Sequence, residues 1–214
     1  MPRSSNQAVL KADQSPSPTI ENGKVPPKRV PYKDLRSREY LTEKEVEKLA
    51  SAARQLGRHG HRDYALITLA FRHGLRVSEL VALRWDMIDL SQGLLHVSRL
   101  KNGVDSTHPL RGPEIRMLRK LRRDYPDSPY VFKTERNGPL TASSVRKIVA
   151  RAGEKAKLGI PIHPHMLRHS TGFKLANEGH DTRAIQLYLG HKNIQHTVRY
   201  TELSSNRFNG FWKD

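Results

Sequence analysis

His163-Pro-His-Met-Leu-Arg-His-Ser-Thr-Gly172 places three histidines and one arginine at the start of a helix that we predict over 164–178. Residues three positions apart share a helix face, so His165 and Arg168 bring an imidazole and a guanidinium to the same side. Six of the 11 histidines in the chain lie between His163 and His196. This concentration of imidazole and guanidinium groups indicates a chemical site.

Metal binding is the first alternative for these histidines. His165 and His169 lie four residues apart, the spacing of the two ligands in H-E-x-x-H zinc sites. However, the general-base glutamate is missing, and Arg168 would set a second cation beside the metal. We therefore expect no metal and no other cofactor. A further alternative stays open for His163 and His169, each of which also suits a buried side chain with hydrogen-bond partners.

Three further residues outside this helix, His191, Tyr200 and Arg76, add to the predicted site. Gly190-His191 delivers an imidazole at a helix end, where glycine allows a sharp turn, and Tyr200 follows nine residues later. Upstream, HGLRVSEL (73–80) sets Arg76 at the start of a short helix. Two arginines that converge on one anion match phosphate oxygens and stay charged at any working pH. Their field favours the phenolate of Tyr200 against an ordinary pKa of about 10, so we predict metal-free phosphoryl transfer with a tyrosine nucleophile.

Hydrophobic spacing and turn residues predict a mainly α fold with a small antiparallel β-sheet, in the α+β class. Leu94–Ser98 and Thr107–Leu110 form two strands around an Asn-Gly turn signal. Tyr130–Phe132 is a short buried strand or extended piece. Helices are expected from the Thr42 cap to Gly57, over 61–73 and 77–83, from Gly112 onward, and over 141–157, 164–178, 182–189 and 194–201.

The folded part begins at a strong helix-start signal. Thr42 and Glu45 form a capping box, and Leu41 can pack on Val46 as a hydrophobic staple. Ahead of it, residues 1–39 hold six of the 13 prolines and few large apolar side chains, which predicts a flexible basic arm. We expect one domain over 40–203 and a tail over 204–214.

The composition favours a polyanionic partner. Lys and Arg number 38 against 21 Asp and Glu, a formal charge of +17, and the basic residues are spread from Arg3 to Lys213. Distributed charge suits an extended phosphate track better than a membrane surface, where one amphipathic helix concentrates it. The longest mostly apolar run, Tyr64–Phe71, is too short to span a bilayer, and the absence of cysteine excludes thiolate sites.

These motifs together resemble the tyrosine recombinase (phage integrase) family. The matching segments are HGLRVSEL (73–80), HPHMLRHSTG (163–172), LGH (189–191) and the Arg-Tyr-Thr around Tyr200, and they run across 40–203. The resemblance implies the catalytic-domain fold of that family over this range. The family's six catalytic positions are all filled, in order, by Arg76, Lys101, His165, Arg168, His191 and Tyr200.

The resemblance also implies a role for the nucleophile and its two arginines. Tyr200 would attack the scissile DNA phosphate and hold a 3′-phosphotyrosyl link, which conserves the bond energy so that no ATP is needed. Arg76 and Arg168 would brace the non-bridging oxygens as charge builds in the pentavalent transition state.

The remaining positions would handle protons and support the site. Lys101, near the tip of the predicted hairpin, would be the general acid for the leaving 5′-oxygen, although a lysine beside Asn-Gly is also ordinary turn chemistry. His165 would assist proton transfer, and His191 would donate a hydrogen bond to the phosphate. Glu79 is similar to the family's buried acidic partner of the first arginine, or is an exposed helix glutamate. His169 would support the catalytic side chains without being one of the six catalytic residues.

Two departures point to a subgroup. Most family members carry a separate N-terminal helical domain, and residues 1–39 are too few to form one. The chain most resembles the short, catalytic-domain-only recombinases that invert promoter segments in fimbrial phase variation, and its ending RFNGFW (207–212) is similar to theirs. Family members commonly pass a C-terminal segment to a neighbouring protomer. For the tail over 204–214, docking in cis is equally open.

The resemblance implies site-specific recombination between double-stranded DNA sites, by inversion or integration. It implies a homo-tetramer on synapsed DNA, a cytoplasmic, nucleoid-associated location, no membrane and no small-molecule substrate. Two alternatives stay open. A catalytically silent DNA-binding regulatory protein would keep the fold without the reaction. A tyrosine topoisomerase would share the chemistry but relax DNA without exchanging strands.

Overall fold

The computed structural model of the chain describes residues 38–99, 103–202 and 204. The elements in this part follow in the order α1 (Glu43–Arg54), α2 (Gly60–Arg72), α3 (Val77–Ala82), β1 (Ile88–Asp89), β2 (Leu94–Val97), β3 (Ser106–Pro109), α4 (Gly112–Asp124), α5 (Ala142–Lys155), α6 (Pro164–Asn177), α7 (Thr182–Leu189) and α8 (Gln195–Glu202), with one 3-10 turn at Trp85–Met87. None of the helices described is long and apolar enough to cross a membrane.

The mainly α architecture with one small antiparallel sheet is confirmed, and each predicted helix is present to within a few residues at its ends. The sheet has the order β1-β2-β3, and β2 pairs with β3 so that Leu95 lies opposite His108. We did not predict strand β1, because its two residues are too few to show the alternation of apolar and polar side chains that indicates a strand. The segment Tyr130–Phe132 is buried at Val131 and Phe132 as predicted, but the chain bends there, and isolated bridges at Tyr130 and Lys133 take the place of a strand.

Three predictions fall on residues beyond those described. The flexible arm lies almost wholly in 1–37, the tail lies in 205–214 except for Ser204, and the hairpin lysine is Lys101. The two strands that flank this lysine are present as β2 and β3.

The start of α1 is anchored to the centre of the fold. The Thr42–Glu45 capping box is present, and the predicted staple residues Leu41 and Val46 are both buried in the main core. The backbone N–H of Leu41 donates to Ser170 Oγ on α6 at 2.8 Å. This hydrogen bond ties the entry of the chain to the helix that carries the histidines.

Helix α6 lies at the centre of the molecule. Ten of its 14 residues are buried, because α1, α2, α5, α7 and α8 all pack on it. A helix buried on most of its circumference has no single apolar stripe, which is why its polar residues must find partners inside the protein. Phe173 and Ala176 of α6 join Ile185, Leu189 and Tyr200 in a second, smaller apolar cluster.

A buried chain of hydrogen bonds connects α2, β3 and α4. His73 Nε2 lies 2.9 Å from Glu114 Oε1, and His73 Nδ1 lies 3.1 Å from His108 Nδ1. His108 Nε2 in turn lies 2.9 Å from Ser106 Oγ. Each of these ring nitrogens has a hydrogen-bond partner, and His73 Nε2 donates to the Glu114 carboxylate. The chain holds His73 in place, three residues before Arg76.

We expect Glu114→Gln to lower the free energy of unfolding by about 1–3 kcal/mol at neutral pH. The two carboxylate oxygens accept from His73, Arg72 and the backbone N–H of Arg111, and an amide would turn one acceptor into a donor facing other donors. Urea denaturation of both proteins measures the difference. Glu47→Gln, on the exposed side of α1, is the control and should be neutral.

The same variant should show a defined pH dependence. Burial raises the pKa of Glu114, but the hydrogen bond and charge of His73, with the Arg111 and Arg72 contacts, bring it below its ordinary value of 4.5. A lowered pKa stabilises the folded state above pH 4.5, and this stabilisation is lost as the pH falls through the folded-state value. The difference between wild type and Glu114→Gln should therefore shrink in acid, and a constant difference would contradict the assigned role of the carboxylate.

Candidate active site

Arg168 joins the segments that carry the other predicted site residues. Its side chain is fully buried, with the whole residue 1% exposed. One guanidinium nitrogen, Nη1, donates to the carbonyl of Gly74, and Nη2 donates to the carbonyl of Leu189 at 2.6 Å. Gly74 lies two residues before Arg76, and Leu189 lies two residues before His191. A single guanidinium thus brings two remote parts of the chain to the same place.

Arg76 is held by a glutamate one helical turn away. It occupies the N-cap position of α3, and Glu79 accepts from both its backbone N–H and its Nη1 at 2.7 Å each. Glu79 is buried, which excludes the alternative of an exposed helix glutamate. Its second oxygen, Oε2, also accepts from Arg99 Nη1 at 2.7 Å. One carboxylate therefore binds two guanidiniums.

The turn at Gly190-His191 has the geometry predicted from the sequence. Helix α7 ends at Gly190, whose φ of 64° is left-handed, and an added Cβ would lie 2.8 Å from Arg99 side-chain atoms. His191 Nδ1 lies 2.8 Å from Thr197 Oγ1, which leaves Nε2 available. Burial, followed by the charges of Arg168 and Arg76, lowers the pKa of His191 to about 3. The imidazole is therefore neutral near pH 7 and carries one N–H.

An open cleft lies in front of these groups. It has a volume of about 680 Å³, and Arg76 and His191 are among the residues that line it. The other polar side chains of the wall belong to Arg183, Gln186, Lys192, Asn193 and His196. The described lining contains no carboxylate, so this cleft is suited to an anion.

Tyr200 lies behind this cleft, in the second apolar cluster. The residue is 2% exposed, and its ring packs edge-on against Phe173 with the centroids 5.1 Å apart. Its hydroxyl lies 2.8 Å from Nδ1 of His169, and its ring lies nearly parallel to His191 at 6.3 Å. An added Cβ at Gly172 would meet the Tyr200 ring at 2.6 Å, so only glycine leaves room for this packing.

The cationic field acts on Tyr200 in the predicted direction, but the net shift of its pKa is upward. Burial raises the pKa of Tyr200 above its ordinary value, and it outweighs the lowering by Arg168, Arg199 and Arg76. Both predicted arginines are close enough to act on the phenol electrostatically. Desolvation has the larger effect on the pKa because the hydroxyl is enclosed by the protein, where a phenolate would lose its hydration.

The remaining histidines of α6 differ in exposure. His169 is buried, and burial with the neighbouring His165 lowers its pKa to about 3, so it is neutral. His165 keeps an exposed surface, and its ring meets that of His169 edge-on at 4.4 Å. Partial desolvation, with the charges of Arg168 and Arg76, lowers the pKa of His165. His163 is half-buried at the N-cap position of α6.

The structure thus brings together five of the six predicted catalytic residues, and Lys101 lies outside the described residues. The sequence-based predictions did not include Arg99, Thr197 and Gly172. A signal for Arg99 was present, because Leu95, Val97 and Arg99 alternate along β2 and its extension, which directs a charged side chain inward. Thr197 and Gly172 gave no such signal, since their contacts are made across helices.

In the comparison with protein families, residues 39–207 match the "Phage integrase family". Among curated proteins the chain is similar to the "Type 1 fimbriae regulatory protein FimB" of Escherichia coli strain K12. The two are 45% identical over 184 residues, which cover 84% of this chain and 92% of the relative.

Solved structures share the fold. A crystal structure of the XerA recombinase superposes with a TM-score of 0.69 and 27% identity, over 79% of this chain and 62% of that one. The XerH site-specific recombinase, solved as a pre-cleavage complex bound to its difH substrate, superposes with a TM-score of 0.67 and 24% identity. The match covers 77% of this chain and 50% of XerH, and it supports the fold alone.

We expect the phenol of Tyr200 to titrate above its ordinary pKa of about 10. The ultraviolet absorbance of phenolate is recorded against pH for wild type and for Tyr200→Phe, and the difference between the two curves reports Tyr200. Tyr188, whose pKa burial raises to about 12, is present in both proteins and therefore cancels in the difference. A raised pKa stabilises the folded state below the ordinary value, and this contribution is lost as the pH rises through the folded-state value. Circular dichroism on the same samples checks folding, and a step at or below the ordinary value would contradict the burial argument.

Proposed function

Because the chain belongs to the phage integrase family and is a tyrosine-type site-specific DNA recombinase, we propose that Tyr200 is its nucleophile. In this proposal Tyr200 cuts one DNA strand, holds it as a 3′-phosphotyrosyl link, and releases it to a new 5′-hydroxyl. The single observation that carries the proposal is the convergence of Arg76, Arg168, His191 and Tyr200 from four separate segments of the chain.

The charge balance of the site supports reaction at a phosphate. Arg76, Arg99 and Arg168 bring three guanidiniums, and Glu79 is the carboxylate that pairs with two of them. Arg76 and Arg99 both lower the pKa of Arg168 after burial, to about 9, so the three cations act on one another. An excess of buried positive charge is costly until an anion arrives. A phosphodiester supplies one negative charge, and its pentavalent transition state supplies more.

We infer that these donors bind the phosphate oxygens. Arg168 uses two of its five N–H groups on the Gly74 and Leu189 carbonyls and is 1% exposed, so in this proposal its other N–H groups reach a phosphate only when Tyr200 and α8 move. If the Thr197 hydroxyl donates to Nδ1 of His191, the proton of this neutral imidazole lies on Nε2 and can be donated to the phosphate. Arg76 reaches the cleft directly, since about a third of its side chain is exposed.

The reaction balances without a metal or ATP. Tyr200 Oη forms a bond to phosphorus while the bond from phosphorus to the 5′-oxygen breaks. In our assignment His165 takes the phenolic proton, and Lys101 gives a proton to the leaving 5′-oxygen. Rejoining reverses these steps with the 5′-hydroxyl of another strand. One ester replaces another at each step, so the bond energy is kept.

Attack requires Tyr200 to leave its resting position. A hydroxyl in a residue that is 2% exposed, bound to His169, cannot contact a phosphate of a DNA duplex. Helix α8 is only eight residues long and carries Tyr200, so in this proposal it is the element that moves. The buried state keeps the phenol protonated and away from water until DNA is bound.

The finer parts of the proposal concern partner and outcome. We assign double-stranded recombination sites as the partner, a homo-tetramer on synapsed DNA as the active assembly, the cytoplasm as location, and inversion or integration as the result. A second candidate is a silent DNA-binding regulator, and it is favoured by the name of the E. coli relative, a fimbriae regulatory protein. Cleavage distinguishes the two, whereas affinity does not, because both bind phosphates electrostatically.

We expect a covalent protein–DNA adduct that depends on Tyr200 and forms in the presence of a metal chelator. The protein is expressed in cells, its covalently attached DNA is sequenced, and a nicked duplex of that sequence is used to trap the adduct in vitro. Tyr200→Phe should form none. Tyr64→Phe, which changes a tyrosine of α2 beside α1 and α4, should behave as wild type.

The outcomes separate the candidates. An adduct that persists in Tyr200→Phe would overturn the nucleophile assignment, and a requirement for a divalent cation would overturn the metal-free mechanism. Binding without any adduct from wild type would favour the silent regulator. Relaxation of supercoiled plasmid without sequence preference would indicate a topoisomerase.

We expect Arg76→Ala to lower the single-turnover cleavage rate about 10²–10³-fold, the usual effect of removing one preorganised donor to a transition-state anion. A duplex with a methylphosphonate at the scissile position carries no negative charge there, so the defect should be smaller on it. Arg84→Ala, which removes an exposed cation paired with Asp86, is the control. An equal defect on both duplexes would show that Arg76 does not act on the phosphate charge.

A further inference from the structure

Arg99 is a buried arginine that none of the predicted roles includes. Its side chain has no exposed surface, although it lies just after β2 and only two residues before Lys101. Nη1 pairs with Glu79 Oε2 at 2.7 Å, and Nη2 donates to the carbonyl of Tyr188 at 2.6 Å. Its Nε has no hydrogen-bond partner among the described residues. Burial is the main influence on its pKa and lowers it, while Glu79 opposes this shift.

These contacts connect Arg99 to the segment that carries Arg76. Glu79 holds the Arg76 guanidinium through Oε1 and is itself held by Arg99 through Oε2. With both oxygens engaged, the carboxylate has a fixed orientation, and the Arg76 guanidinium is fixed with it. Removal of Arg99 would leave Glu79 with Arg76 as its one cation and would allow that pair to turn away from the cleft.

The same side chain supports the turn that carries His191. Its aliphatic part packs on Gly190, where an added Cβ would lie 2.8 Å from Arg99 Cγ and Nε. Its Nη2 binds the last turn of α7 at Tyr188. The turn is therefore held by Arg168 through Leu189 and by Arg99 through Tyr188, at successive carbonyls.

Arg99 also contacts Gly103 and Asp105, which lead into β3. Its backbone N–H donates to Asp105 Oδ1 at 2.6 Å, and a Cβ added at Gly103 would lie 2.6 Å from Arg99 Cβ. Gly103 in turn faces the Gly190 carbonyl. Arg99, Gly103 and the His191 turn are thus packed against one another.

We propose that Arg99 is a positioning residue of the recombination reaction, which aligns Arg76 and the His191 turn around the scissile phosphate. The inference rests on the proposed function. Arg99 does not itself touch DNA, because its guanidinium is covered and both Nη atoms are engaged. Its loss should lower the rate of the chemical step and leave DNA affinity nearly unchanged.

The test uses Arg99→Met, which keeps a long apolar side chain but removes the fork, together with Arg99→Lys. Lysine can pair with Glu79 but lacks the planar fork that also reaches the Tyr188 carbonyl. Arg62→Met is the matched control, since Arg62 is a buried arginine that pairs with Asp63 and donates to the Lys133 carbonyl. It lies at the opposite end of α2 from His73, roughly 16 Å along the helix axis at 1.5 Å per residue.

Adduct formation is followed under single-turnover conditions with the nicked duplex recovered by covalent trapping, and affinity is measured on the same duplex. We expect the rate for Arg99→Met at saturating protein to fall about 10²-fold, the usual loss for a displacement of about 1 Å in a catalytic group. Arg99→Lys should be intermediate. Arg62→Met should keep the wild-type rate even if its thermal stability falls as much. All rates are read at a temperature where circular dichroism shows each variant folded.

The outcomes keep the two proposals apart. If wild type forms an adduct and Arg99→Met forms it at a similar rate, the role of Arg99 is overturned and the proposed function stands. A fall in affinity that accounts for the whole defect would also overturn it. If Arg99→Met does not fold, a wild-type rate in Arg99→Lys likewise overturns the role of Arg99. If wild type forms no adduct, the proposed function fails, and the role of Arg99 fails with it.

Discussion

The buried guanidinium of Arg168 is the interaction on which the rest of the site depends. It donates to the carbonyls of Gly74 and Leu189, which belong to segments more than a hundred residues apart in sequence. Both carbonyls lie at the C-terminal ends of helices, where backbone acceptors lack partners within the helix. Burial and the neighbouring cations Arg76 and Arg99 lower the pKa of Arg168 to about 9, so it remains charged near pH 7. The cost of burying this charge is offset by carbonyl dipoles and, in our proposal, is reduced further when a phosphate binds.

A second constraint concerns where the negative charge is placed. Glu79 is shared by Arg76 and Arg99, so its charge neutralises only part of the cluster, and the described cleft lining adds basic side chains without a carboxylate. Another buried carboxylate, Glu114, lies on the far side of His73 and is satisfied there. Positive charge is therefore left where DNA would bind, while the acidic groups serve to orient the cations.

Burial of Tyr200 would explain how the nucleophile that we propose can be present and yet inactive. The ring packs against Phe173 and over Gly172, and the hydroxyl is bound to neutral His169. Desolvation raises the pKa of this phenol, so the resting protein does not carry a reactive phenolate. In our proposal, chemistry starts only when α8 moves and the phenol meets the phosphate among the guanidiniums, where developing negative charge is stabilised.

Local sequence determined the parts of this protein whose causes are local. The Thr42–Glu45 capping box, the left-handed turn at Gly190 and the ends of most helices follow from side chains within one turn of the chain. The order and spacing of the arginines, histidines and Tyr200 also identified the family. Only the tertiary structure decided the role of Arg99, the short strand β1 and the direction of the Tyr200 pKa shift. These depend on contacts and burial created by distant segments, and desolvation in particular is a property of the packed interior that no single stretch of sequence contains.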